Sequence, residues 1–242
     1  MTNTEEKQAE LVEHLAELRT RLIRTGVYVT AATSACWFFY ERIFRLLTDP
    51  ITGSLGANGP KFQMTNLAEG FMLRLQVCVI AGLIVAAPFL TMEAWGFVSP
   101  ALTREEKRPL WWIAPFSVFL FVFGVSLCYF ILPTAVRWFM AYVPPGAEVH
   151  LFMTQNLLFV VKMLLAFGLA FELPIVLMFF GKIGIINSNL MKRYWRQAIV
   201  LTALFSAIIT PSPDAFSMLM MAVPLCGLFV LSILLVKIVE PK

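Results

Sequence analysis

The chain has 242 residues, of which 59% are hydrophobic and 14% are charged, and its formal net charge is +4. Soluble domains average about 45–50% apolar and about 25% charged residues, so this composition excludes an ordinary water-soluble fold. With a mean hydropathy of +0.78, the sequence predicts an all-α integral membrane protein with one domain over residues 1–242.

The first twenty residues are charged and lack the apolar core of a cleavable signal peptide. Within "ELVEHLAELRTRLIR" (10–24), leucines recur at helical spacing on one face, while Glu13, Glu17 and Arg21 follow at four-residue steps on another. The pattern predicts a cytoplasmic amphipathic helix over residues 1–21 that continues directly into the first membrane span.

Six apolar segments follow, and the sequence predicts spans at 22–44, 71–95, 111–132, 157–180, 196–210 and 215–236. The fifth has twelve uninterrupted apolar or small residues, 198–209, fewer than the roughly 20 that cross a typical bilayer. Pro88, Pro115, Pro174 and Pro224 predict a bundle of six kinked helices with a concave face. Turn formers predict an outer loop at 49–60, and 134–143 is typical of an amphipathic segment lying along the interface.

The distribution of lysine and arginine between the loops predicts the orientation of the chain in the membrane. Thirteen of these residues lie on the side of the two termini and four lie on the opposite side. This bias predicts cytoplasmic N- and C-termini, and it explains the net charge better than nucleic-acid binding does. The four cysteines fall inside predicted spans and suggest small packing residues, and the two histidines indicate no metal site.

Two carboxylates are predicted on the cytoplasmic rim. Glu17 and Arg21 form an i, i+4 pair, which is typical of a solvated helix face. Glu106 follows Thr103 at the capping-box spacing before the third span, so helix capping alone could explain it. Their shared location leaves a functional alternative, because two carboxylates could receive two guanidinium groups.

Glu172 is the one ionisable residue in "MLLAFGLAFELPIVLMFF" (163–180). A charge at the centre of a span costs about 2.5–3.5 kcal/mol on insertion scales, so such residues usually face a cavity or a partner. Pro174 lacks the N–H that would bond the Ala170 carbonyl, which predicts a break in the helix beside the acid. A functional role is favoured over a buried, protonated structural acid.

Four segments in this order resemble the TatC family, the multispanning receptor subunit of the twin-arginine protein translocase. They are "EHLAELRTRLI" (13–23), "FVSPALTREEKR" (97–108), "AFGLAFELPIVL" (166–177) and "TPSPDAFSMLMMAVPL" (210–225). The resemblance covers nearly the whole chain. It implies a non-enzymatic protein without a cofactor, located in the bacterial plasma (inner) membrane.

The resemblance also implies roles for single residues. Glu17 and Glu106 look like the acidic pair that receives the two arginines of a twin-arginine signal peptide on a folded cargo protein. Arg19 belongs to the same N-terminal motif and Phe97 to the same loop as Glu106.

Glu172 resembles the family's intramembrane glutamate, near where partner helices pack, and Asp214 matches the acidic residue of the last outer turn. The implied partners are the single-span TatA and TatB subunits, other TatC copies and the lipid bilayer, with export driven by the proton-motive force. The alternative is a proton-coupled secondary transporter that uses Glu172, although the spans offer few other ionisable or amide residues. An intramembrane enzyme ranks last, because no catalytic pair lies within the spans.

Overall fold

The computed structural model describes residues 2–55, 62–98, 110–144, 149–210 and 214–239. These ranges are mostly helical, as predicted, and two short strands pair in parallel. The elements are α1 (Thr2–Phe38), α2 (Tyr40–Leu55), β1 (Phe62–Gln63), α3 (Glu69–Val98), α4 (Leu110–Ala141), β2 (Leu151–Phe152), α5 (Met153–Ala170), α6 (Leu173–Lys182), α7 (Ser188–Arg193), α8 (Trp195–Ile209) and α9 (Ala215–Val239).

Four helical segments in the described ranges are long and apolar enough to cross a membrane. They are Glu69–Phe97, Ala114–Ala141, Met153–Lys182 and Ala215–Val239, and they confirm the second, third, fourth and sixth predicted spans. Trp195–Ile209 is a shorter apolar helix at the place of the short fifth span. A total of six spans therefore stays a prediction.

The first predicted span is helical, but α1 is not one of the helices in the described ranges that are long and apolar enough to cross a membrane, so a crossing here stays a prediction. Helix α1 runs without interruption from the amphipathic N-terminal segment, as predicted, but it ends at Phe38 and the chain turns at Phe39. Residues 40–44 therefore belong to α2 and not to the first span. Leu15, Leu18 and Leu22 are exposed, so the described part of the chain leaves the apolar face of α1 uncovered.

For the segments between spans, one prediction is refined and one is wrong. The predicted outer loop at 49–60 is structured, since it is helical as far as Leu55, where Leu47 and Ile51 of α2 are buried in the core; residues 56–61 lie outside the described ranges. The predicted interfacial segment at 134–143 continues α4 as far as Ala141. There the Trp138 ring stacks on Phe216 of α9, with ring centroids 4.0 Å apart, so packing overrides the local pattern.

The prolines inside the predicted spans have different surroundings. Pro88, Pro115 and Pro224 lie inside the continuous helices α3, α4 and α9. Pro174 alone among these four coincides with an interruption, because α5 ends at Ala170 and α6 begins at Leu173. The predicted break beside Glu172 is therefore confirmed.

The helices pack around α3 and α5. Helix α1 packs along α3, α5 lies between α3 and α4, and α6 packs against α9. The main core includes Leu73, Val77, Leu132 and Phe167. Helices α1 and α3 come so close that a Cβ atom at Gly82 would lie 2.8 Å from the Cα atom of Thr33, so this contact needs glycine.

The bundle has two ends, which we name after arginines. At the Arg21 end, α1 contacts Glu93 near the end of α3, the Trp95 ring packs on Phe179 of α6, and Gly181 of α6 faces Val236 of α9. The end of α9 therefore lies at the same end of the bundle as residues 17–24 of α1. At the Arg74 end, α1 gives way to α2, and α3 and α5 begin.

Candidate functional site

Glu17 and Arg21 form the predicted i, i+4 pair on α1. The Nε atom of Arg21 lies 2.9 Å from Oε1 of Glu17, and its Nη2 atom lies 2.7 Å from the same oxygen. The two side chains are only 23% and 29% exposed for Arg21 and Glu17. The pair is therefore half-buried, which differs from the solvated face that its spacing alone suggests.

Arg21 also binds a second carboxylate, on another helix. Its Nη1 atom lies 2.9 Å from Oε2 of Glu93 on α3, and Arg24 approaches the other oxygen of Glu93 at 4.0 Å. Only 13% of the Glu93 side chain is exposed. Sequence reasoning missed Glu93, although it is the one carboxylate in the predicted span 71–95 and that position was the available signal.

Gly96 makes room for this arrangement, one turn after Glu93. A Cβ atom at Gly96 would lie 2.3 Å from Nη1 of Arg21. The hydrogen bond to Glu17 raises the pKa of the Arg21 guanidinium above its ordinary value, and Glu93 adds to this effect. Two helices thus hold one charged guanidinium between two carboxylates, an arrangement that suits arginine recognition chemically.

The other residues predicted for the rim are placed differently. Arg19 is exposed on α1, and Phe97 is half-buried in the last turn of α3, directly after Gly96. Glu106 lies outside the described residues. The structure therefore brings Glu17 together with Glu93 through Arg21, and the pairing of Glu17 with Glu106 stays a prediction.

Glu172 lies in the interruption between α5 and α6. The Ser117 hydroxyl of α4 donates a hydrogen bond to its Oε2 atom, whereas its Oε1 atom is buried without a hydrogen-bond partner in the described part of the chain. Ser117 itself is fully buried. Sequence reasoning missed this contact, because a serine inside an apolar segment does not reveal which neighbouring helix it faces.

The surface around Glu172 is apolar and uncovered. Leu169, three residues before Glu172 on α5, and Val176, four residues after it on α6, are both exposed. On the adjacent α4, the rings of Phe119 and Phe123 are also exposed, and Phe123 packs against Phe171. A buried polar atom thus lies beside an apolar face that no described part of the chain covers.

Asp214 lies directly before α9, at the Arg74 end. Its Oδ1 atom accepts a hydrogen bond from the backbone N–H of Ser217 at 2.6 Å, and its carbonyl accepts from Met218. This is the geometry of a helix N-cap, so Asp214 stabilises the start of α9. The contact explains Asp214 as a structural residue.

Comparison with known proteins assigns the family. The family model described as "Sec-independent protein translocase protein (TatC)" matches residues 13–224. The chain belongs to the TatC family. A TatC relative from Desulforapulum autotrophicum is 38% identical over 98% of this chain and 88% of the relative, and one from Xylanimonas cellulosilytica is 35% identical over 92% and 82%.

A solved structure described as "Crystal Structure of Twin Arginine Translocase Receptor- TatC" superposes with a TM-score of 0.81 at 30% identity. The superposition covers 93% of this chain and 99% of that one. The resemblance stated from sequence motifs is therefore confirmed, and the chain is a membrane component of the Sec-independent protein translocase. The named role of the TatC relatives is protein transport, which does not support the alternative of a small-solute transporter.

Proposed function

We propose that this TatC-family chain is the receptor that binds twin-arginine signal peptides, with the carboxylates of Glu17 and Glu106 accepting the two guanidinium groups. The observation that carries the proposal is the pair of hydrogen bonds that Oε1 of Glu17 accepts from Arg21, at 2.9 Å from Nε and 2.7 Å from Nη2. Glu17 already accepts two N–H groups of one guanidinium, in a half-buried setting where such a contact is strong. The similar solved structure is described as a twin-arginine translocase receptor, which supports the proposal.

Arg21 then acts as a resident arginine that a signal peptide must replace. When an incoming arginine binds Glu17, Arg21 can remain on Glu93, which it already contacts at 2.9 Å. The exchange leaves no guanidinium without a carboxylate, so its free-energy cost is small. Lysine would supply the charge without the planar fork and would compete less well for Glu17.

The test is site-specific photocrosslinking of a twin-arginine signal peptide to the membrane-inserted chain. We expect Glu17→Ala and Glu106→Gln each to abolish the crosslink, and a twin-lysine peptide to crosslink weakly to the wild type. Asp49→Asn is the matched control, because Asp49 is exposed on α2 and lies apart from the Arg21 end. Normal crosslinking in both glutamate variants would contradict the proposal.

Glu17→Arg sharpens the same test. It places a second guanidinium beside Arg21 and adds repulsion toward the signal peptide, so it should bind less peptide than Glu17→Ala. A steric or purely structural role of Glu17 predicts no such order between the two variants.

Glu172 is proposed as the contact for a helix of TatA or TatB during export driven by the proton-motive force. Its buried Oε1 atom lacks a partner in the described chain, and the exposed face of Leu169, Val176, Phe119 and Phe123 offers the apolar surface that a single-span helix would cover. Glu172→Ala should reduce copurification of TatA or TatB by more than it reduces signal-peptide crosslinking. Equal copurification with the wild type would contradict this role.

A further inference from the structure

An open cavity of about 610 Å³ lies at the Arg74 end, where α1 meets α2 beside the start of α3. Its walls are rich in aromatic and methionine side chains. It also holds two arginines, Arg45 and Arg74, against one acid, Glu41. This lining carries an excess of one positive charge, which favours an anionic occupant.

Arg74 has unusual surroundings for a partly buried arginine. Its guanidinium carbon lies 4.5 Å from the ring centroid of Trp37 and 4.9 Å from that of Tyr40. Its Nη2 atom donates to the Trp37 carbonyl at 3.0 Å, in the last turn of α1. Its buried Nε atom has no acceptor, and Arg74 forms no ion pair with any described residue.

Capping of α1 explains only part of this arrangement. A cation near a helix C-terminus is favourable, and the rings supply cation–π attraction. Neither neutralises the charge, and a buried N–H without an acceptor costs free energy. An oxyanion in the cavity would supply both the negative charge and the hydrogen-bond acceptor that Arg74 lacks, since arginine forms short charge-assisted bonds to phosphate.

The position of the cavity relative to the membrane indicates where this oxyanion comes from. Arg74 lies five residues after Glu69, where the apolar span begins, which is about 7.5 Å along the helix axis. Tryptophan and tyrosine at this depth are typical of the headgroup boundary. Phe71 of the lining is exposed, and so are Phe38 and Phe39, which lie between the lining residues Trp37 and Tyr40 in the chain, so acyl chains would have apolar side chains near the charged site.

We propose that this cavity binds the phosphate group of an anionic phospholipid from the leaflet at the Arg74 end, with Arg74 as its principal ligand and Arg45 at its rim. A basic pocket between helices at a membrane surface has the chemistry for such a headgroup. A free phosphate ion would match the arginines but would leave the aromatic and methionine wall unused. The site is independent of signal-peptide recognition, which is proposed at the opposite end of the bundle.

The test is native mass spectrometry and thermal unfolding of the full chain in detergent, with added phosphatidylglycerol, phosphatidylethanolamine or inorganic phosphate. For the wild type we expect a retained phosphatidylglycerol adduct and a raised Tm, with smaller effects for phosphatidylethanolamine and none for inorganic phosphate. Arg74→Gln should weaken phosphatidylglycerol binding about tenfold or more, because a charge-assisted hydrogen bond is lost.

Arg42→Gln is the matched control. Arg42 is an exposed arginine on α2 at the same end, outside the cavity lining, and it should keep the phosphatidylglycerol adduct. If Arg74→Gln does not fold, Arg74→Lys carries the test, since it keeps the charge but loses the planar fork and should bind more weakly than the wild type. Equal binding by the wild type and the Arg74 variant, equal loss in Arg42→Gln, or stabilisation by inorganic phosphate alone would overturn the proposal.

Discussion

The carboxylates at the Arg21 end and the carboxylate of Glu172 are all partly buried, but they differ in the groups that bind them. Glu17 and Glu93 share the guanidinium of Arg21, with three contacts between 2.7 and 2.9 Å. Glu172 has one hydroxyl donor, Ser117, and one oxygen without a partner in the described chain. The positive charge of Arg21 thus compensates Glu17 and Glu93, whereas no charged group of the described chain compensates Glu172.

The difference indicates how each site can take a ligand. At the Arg21 end a ligand must compete with a group already bound, so it needs the same guanidinium chemistry and specificity arises from exchange. At Glu172 no exchange is required, and any donor that reaches Oε1 adds a hydrogen bond to a buried acceptor. Peptide recognition therefore fits the first site, and helix docking fits the second.

The largest expected effect comes from removing the shared cation. Arg21→Gln removes the guanidinium that Glu17 and Glu93 share, and it should lower the free energy of unfolding by about 2 kcal/mol, mainly because Glu93 is only 13% exposed. The measurement is equilibrium or thermal unfolding in detergent. Arg24→Gln is the control, because Arg24 is 59% exposed and 4.0 Å from Glu93, and it should change stability by less than about 0.5 kcal/mol.

Adding Glu93→Gln to Arg21→Gln should recover part of the lost stability, because the side chain at position 93 no longer carries the charge that Arg21 compensated. If Arg21→Gln and Arg24→Gln cost the same, the Arg21 contacts are no stronger than a surface pair. The contrast with Glu172 would then lose its basis.

A smaller effect is expected at the uncompensated site. Ser117→Ala removes the hydroxyl that donates to Glu172 and should cost about 1–2 kcal/mol in the same unfolding measurement. Ser126→Ala is the control on the same helix, because Ser126 bonds only to the carbonyl of Val122 one turn earlier. Similar costs for the two serines would show that the contact with Glu172 contributes nothing.

Combining Ser117→Ala with Glu172→Leu should cost less than Ser117→Ala alone, since no buried polar group is then left unpaired. The opposite order would mean that Glu172 has another stabilising contact.

The membrane class, the positions of four spans and the break at Pro174 could be predicted because each follows from composition or from a single residue. The apolar character of 71–95 needs no knowledge of its neighbours, and Pro174 lacks an N–H wherever it lies. The extension of α2 to Leu55 could not be predicted. There, local turn formers compete with the burial of Leu47 and Ile51, and only the packed structure decides between them.

The residues of the candidate site also divide into those that the sequence predicts and those that it does not. Glu17, Arg21 and Glu172 could be found because their signals are local: a four-residue spacing and a lone charge in an apolar segment. Their partners Glu93 and Ser117 are distant in sequence, and their contacts depend on the rotation of α3 and α4 about their axes. Helical periodicity gives the relative phase of residues within one helix but not between helices.

The smallest change in stability is expected for Gly96→Ala. This substitution separates the roles of Glu17 and Glu93 without removing a charge. In Gly96→Ala the new methyl group would lie 2.3 Å from Nη1, 3.0 Å from Cζ and 3.1 Å from Nη2 of Arg21, so the guanidinium must move away from α3. Arg21 then loses Glu93, whereas Glu17 lies on the same helix as Arg21 and can follow it. Alanine gains up to about 1 kcal/mol of helix propensity over glycine, which offsets the lost contact, so stability should change by less than about 1 kcal/mol.

Signal-peptide crosslinking should nevertheless fall several-fold in Gly96→Ala. An incoming arginine would displace Arg21 from Glu17, and Arg21 would then have no carboxylate to accept it. Gly26→Ala on α1 is the matched control, since a Cβ atom at Gly26 meets nothing within 4 Å. Crosslinking that stays equal in the two glycine variants would show that Arg21 leaves Glu17 without help from Glu93, and recognition at this end would then depend on Glu17 alone among the described carboxylates.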